Sequence, residues 1–158
     1  MSTEKLLRAI KSILVAVDDS EPARWAADEA VRLAEALDAR VSLVHVIDVI
    51  PALPTEFAFD DELKHPTLVE AARELLHRMA DRVPVELLGE QILKEGNTAK
   101  QIIVASHESR ADLLVIGTHG RGPLCLSVAW KLRRNGIHPS TVKAITPSAS
   151  APGARFFS

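Results

Sequence analysis

The residues whose type and spacing best suit chemistry are Gly117 and Gly120 of LLVIGTHGRG, the run from Leu113 to Gly122. Four apolar residues, Leu113 to Ile116, lead directly into Gly117, and Gly120 follows three positions later. Glycine takes positive φ without a steric penalty, so such a turn can aim its amide N–H groups at an anion and let it come close. Phosphate binding is the chemistry this suits. The alternative is an ordinary tight turn after a strand, since short glycine patterns recur in many settings. His119, between the glycines, reads as a solvent-exposed residue rather than a catalytic one.

Asp18 and Asp19 close another apolar run, Ile13 to Val17. Two readings of Asp18 stand side by side: a ligand contact at a strand end, or a polar stop ahead of a helix cap. His45 lies inside an apolar stretch and reads as a core or packing histidine.

These residues need a scaffold. Ile13 to Val17 is apolar at every position, the pattern of a parallel strand covered on both faces. Ser20 can cap a helix that has Pro22 early and Ala26, Ala30, Leu33 and Leu37 along one side up to Leu37. Val41 to Ile50 predicts a second strand, and Pro51, Pro54, Thr55 and Asp60 a loop. Pro66 to Val83 has helical spacing through Leu68, Ala72, Leu75, Leu76 and Met79. A weaker strand over Val85 to Leu93 ends at Gly96 and Asn97, and Thr98 to Ser109 predicts a helix with Ile102, Ile103 and Ala105 inward. Strand and helix alternate, so the expected fold is a single-domain α/β parallel sheet with right-handed crossovers. In such sheets ligands bind beyond the carboxyl ends of the strands, where strand order reverses. Asp18, the chain near Val46, and Gly117 to Gly120 all lie at such ends.

Composition narrows the function. The chain has 158 residues, 47% hydrophobic, with a net charge of −2 from nineteen basic and twenty-one acidic residues. That suits one globular domain and gives no electrostatic reason to expect nucleic acid or an anionic membrane as a partner. Cys125 is the single cysteine, and no Cys or His pair has zinc-ligand spacing. The apolar run Ile13 to Val17 is too short for a signal sequence or a membrane span. A reducing cytoplasm is the expected location.

With ILVAVDDSEPA, LVHVID and LLVIGTHGRG in this order and at these separations, the chain from about Lys11 to Leu124 resembles the universal stress protein family. The resemblance implies a small open sheet of the adenine nucleotide α-hydrolase-like type with helices on both faces. It also implies a homodimer, and membership of either an ATP-binding or a nucleotide-free class. For the ATP-binding class it implies that Asp18 meets the ribose or adenine side and that the backbone around Val46 receives adenine. Ala16 and Ile116 then wall the pocket, and Gly117 and Gly120 line the phosphates of ATP or AMP, with magnesium as a possible companion.

The family's phosphate motif continues with nine residues, a glycine, and a serine or threonine. Here the tenth residue after Gly120 is Trp130, followed by Lys131, so the second half is absent. The domain is therefore expected over residues 1–124, with 125–158 as an atypical tail. That tail reads as a short helix over Ser127 to Arg134, then a mobile segment from Ser140 carrying four Ser, two Pro and four Ala. The last parallel strand is expected to be missing and dimerisation weakened. The genetic code adds a specific reading. Tryptophan is TGG and lysine AAA or AAG, so Trp130 and Lys131 read one nucleotide downstream give GGA, a glycine at the position the motif requires. The next shifted codon can encode serine, as expected of a frame-shifted family tail.

Three functions follow as alternatives. The first is a stress-response module binding adenine nucleotide weakly, with slow hydrolysis at most. A nucleotide-free protein acting through partners is favoured by the absent glycine and serine. The third, an adenylating enzyme, would need extra segments for which this chain has no room. No P-loop lysine and no Ser-His-Asp grouping accompany the glycines.

Overall fold

The apolar run before Asp18 forms the middle of a sheet. The computed structural model describes residues 10–48, 61–118, 125–130 and 142–145. The elements in chain order are β1 (Ser12–Ala16), α1 (Glu21–Leu37), β2 (Arg40–Ile47), α2 (Asp61–Ala80), β3 (Leu88–Glu95), α3 (Thr98–Glu108), β4 (Leu113–Thr118), β5 (Cys125–Trp130) and β6 (Val142–Ile145). They build one sheet in the order β3-β2-β1-β4-β5-β6. Strands β1 to β4 are parallel, with β1 between β2 and β4. β5 and β6 extend the sheet antiparallel.

The expected α/β alternation is thus observed, with shifted boundaries. β3 starts at Leu88 because the N–H groups of Leu87 and Leu88 both turn back to the Pro84 carbonyl, which leaves Val85 83% exposed in a turn. α2 begins at Asp61, so Pro66 lies inside the helix instead of opening it. Ile103 and Leu68, expected inward, are exposed. Ile103 follows the buried Ile102, and a step of about 100° around the helix turns it outward.

The tail departs further from expectation. Where a short helix was expected from Ser127, strand β5 pairs Leu113 with Trp130 and Thr118 with Cys125. The apolar residues that suggested the helix, Val128, Trp130 and Leu132, recur every second position, which is the strand period. Within the segment expected to be mobile, β6 pairs Leu126 with Ile145.

Successive side chains of a strand point to opposite faces, so runs apolar at every position need cover on both. Ile13, Val15, Val41, Leu43, Leu113 and Val115 meet the alanines of α1 (Ala26, Ala27, Ala30, Ala34) and Leu75, Leu76 and Met79 of α2. Leu14, Val44 and Leu114 meet Ile102 and Ala105 of α3 on the opposite face. Ser20 caps α1 through its Oγ, which accepts from the Ala23 N–H. Lys11 closes the other end, its Nζ donating to the carbonyls of Leu37 and Asp38.

Candidate functional site

The order of strand addition reverses at β1: β2 and β3 lie to one side, and the chain then crosses back to lay β4 on the other. The carboxyl ends of β1 and β4 therefore lie at the switch point, the place where open α/β sheets take ligands. Ala16 sits in register with both Val44 and Ile116 at this end.

Three expected pocket residues share one face. Ala16, Val46 and Ile116 are all half-buried and pack against the cluster of Leu14, Val44 and Leu114 beneath α3. They form an apolar ledge at the strand ends, a surface suited to the flat face of an aromatic base. Asp18 stands exposed just past the ledge. Its Oδ1 accepts the Ser20 N–H at 2.9 Å, while among the described residues Oδ2 accepts no hydrogen bond. Asp18 thus shapes the turn before α1, and among the described residues its second carboxylate oxygen has no partner.

Gly117 has a packing role that its sequence context does not suggest. It lies within β4, and the positive-φ glycine among the described residues is Gly96. A Cβ on Gly117 would overlap the Pro22 carbonyl and stand 2.8 Å from the Ala23 nitrogen. The residue is glycine so that the first turn of α1 can lie directly on β4, and its Cβ direction is toward α1, away from the ledge. The expectation of a positive φ there is corrected accordingly. Gly120 and His119 lie outside the described residues.

His45 is not a plain packing residue. It is half-buried at the end of β2, with Nδ1 2.7 Å from the carbonyl oxygen of Val17. Asp19 points to the other side, accepting from Arg24 Nη2 at 2.9 Å, with Arg78 Nη2 at 4.0 Å. These groups rim a cleft of about 400 Å³ between α1 and α2, floored by Leu75 and Met79. Arg82, also on its rim, makes a two-pronged bond to Asp28, which raises the arginine pKa, with burial opposing slightly. Arg24 and Arg82 are thus committed to carboxylates, and the cleft reads as an ion-pair seam joining the two helices.

The sequence pattern that defines the universal stress protein family matches residues 9–141. The chain belongs to the universal stress protein family. A universal stress protein of Methanocaldococcus jannaschii is 34% identical over 141 residues, covering 84% of this chain and 81% of that relative. One from Thermus aquaticus is 34% identical over 119 residues, covering 71% and 80%. The crystal structure of a family member from Burkholderia pseudomallei superposes with a TM-score of 0.59 at 29% identity, covering 70% of this chain and 84% of that one.

The universal stress protein match runs past Leu124, where the resemblance of the motifs stopped, into the segment that carries β5. The ledge, Asp18 and Gly117 all fall inside it. Among the described residues no group of three or more His, Cys, Asp or Glu could hold a metal ion, and no helix is long and apolar enough to cross a membrane. Sequence reasoning missed the His45–Val17 and Gly117–Pro22 contacts, both of them long-range. Their only sequence signals were a polar ring inside an apolar strand and the smallest residue at a strand end.

Proposed function

We propose that this universal stress protein binds the adenosine part of an adenine nucleotide, ATP or AMP, at the carboxyl ends of β1, β2 and β4. One observation carries the reading: Ala16, Val46 and Ile116 converge on one apolar ledge with the free Oδ2 of Asp18 at its edge. The base stacks on the ledge, and Oδ2 accepts from a ribose hydroxyl, a charge-assisted bond worth about 1.5–3 kcal/mol. The family resemblance supports the reading: it implies that Asp18 meets the ribose or adenine side, that the backbone around Val46 receives adenine and that Ala16 and Ile116 wall the pocket. The fit is to the nucleoside; magnesium in this reading comes as a companion of the phosphates.

The role is that of a stress-response binding module in the cytoplasm, with slow hydrolysis at most, because no P-loop lysine accompanies the glycines. Equilibrium titration with adenosine tests the reading. Saturable binding weakened about tenfold or more, but still measurable, in Asp18→Ala supports it. Absence of binding by the folded protein overturns it in favour of a nucleotide-free protein that acts through partners.

A further inference from the structure

Asp18 can serve a ribose only if the turn that carries it is held still, and the bonds that hold it lead back to β2. Val17 is the residue just past β1, and both of its backbone polar groups end on β2. Its N–H donates to the Val44 carbonyl at 2.9 Å, and its carbonyl lies 2.7 Å from His45 Nδ1. A carbonyl only accepts, so Nδ1 carries the proton and donates. The next residue is Asp18, whose Oδ1 accepts the Ser20 N–H; Ser20 in turn caps α1. One imidazole thereby fastens the peptide from which Asp18 projects.

We infer that His45 is a positioning residue of the adenosine site, acting through the Val17 carbonyl to hold Asp18 beside the switch point; this rests on the function proposed above. His45 is half-buried, so its bond competes only partly with water. An asparagine at this position places a donor nitrogen at nearly the reach of Nδ1, whereas leucine keeps the bulk and removes the donor. A residue that merely filled space would tolerate leucine better than asparagine.

Calorimetric titration of adenosine into the wild type, His45→Leu, His45→Asn, Asp18→Ala and the Asp18→Ala/His45→Leu double variant tests this. The expected result is a Kd raised about tenfold by His45→Leu, the loss of roughly one hydrogen bond. His45→Asn is expected to stay within about threefold of wild type. The double variant is expected to bind no worse than Asp18→Ala alone, because coupled residues do not add. Equal weakening by leucine and asparagine, or additive losses, would overturn the inference. Hydrogen exchange at the Ser20 amide reads the same link without ligand, since that N–H is held by Asp18. There, about tenfold faster exchange in His45→Leu but not His45→Asn supports the positioning role, and unchanged exchange in both overturns it. A wild type that fails to bind adenosine while showing this exchange pattern would sink the proposed function and leave the link standing.

Discussion

Gly117 and Pro22 meet backbone to backbone, so closely that a single methyl group on Gly117 would occupy the place of the Pro22 carbonyl. β4 and the first turn of α1 have no slack there, and the same turn carries the cap downstream of Asp18. Gly117→Ala must push the helix end away or twist the strand. The expected cost is about 1–3 kcal/mol, the usual range for overpacking a tight site. Urea unfolding measures it, and an unchanged midpoint would show that α1 moves freely.

The parts of this molecule that were legible in the sequence are those set by local pattern. β1, α1 with its Ser20 cap, and β4 follow from unbroken apolar runs, helical spacing and a capping residue, all read within a few positions. The place of the ledge was legible too, because the strand ends at Asp18 and near Val46 are brought together by parallel pairing, while Ala16 and Ile116 as its walls came from the family resemblance alone. The reason for Gly117 was not, since it depends on a helix nearly a hundred residues earlier in the chain. The strand at 125–130 was not legible as one, because apolar residues at a spacing of two over so short a stretch also fit a partial helical face. His45 looked like filling because nothing in the sequence says that its ring reaches the Val17 carbonyl.

Ser20 supplies the cap of α1 through its side chain, but holds Asp18 through its backbone N–H. The two roles are separable by mutation. Ser20→Ala is expected to lower stability by about 1 kcal/mol, and Ser20→Gly by only a few tenths. Adenosine affinity is expected to change less than threefold in either, because the N–H to Asp18 survives. Denaturant melts paired with titrations check both halves.

The Arg82–Asp28 pair joins the turn after α2 to α1 with bonds of 2.9 and 2.7 Å, yet both side chains are more than a third exposed. A double-mutant cycle with Arg82→Met and Asp28→Asn is expected to give a coupling of about 0.2–1 kcal/mol that shrinks as salt is added. The bond raises the arginine pKa, so its contribution is fully present below the ordinary arginine range and lost only as pH rises through the raised value. Through Arg82, stability is therefore expected to be flat across neutral pH. A coupling that titrates near neutrality would contradict this.

The absent second half of the phosphate motif has a genetic explanation that sequencing can test. Read one nucleotide downstream, the codons of Trp130 and Lys131 must give glycine. The gene is expected to show AGC or AGT as the next shifted codon, encoding serine. An asparagine codon there, or a stop soon after, would dismiss a shifted frame.

The nucleoside and phosphate sides of the site are expected to differ sharply in strength. The ledge and Asp18 lie within described strand ends, whereas Trp130 and Lys131 stand where the family motif places a glycine and a hydroxyl residue. A glycine amide and a hydroxyl would each give the triphosphate a charge-assisted bond of about 1.5–3 kcal/mol. Losing both lowers ATP affinity on the order of a hundredfold or more. Arginine loses rotamer freedom when it holds a phosphate, so a contact from Arg133 or Arg134 would restore only part of that loss. Calorimetry is therefore expected to find adenosine, AMP and ATP binding within about tenfold of one another, with little effect of magnesium. ATP binding far more tightly than adenosine would mean that a phosphate site has been rebuilt from other residues, and that the loss of the glycine-serine arm is not the loss of its function.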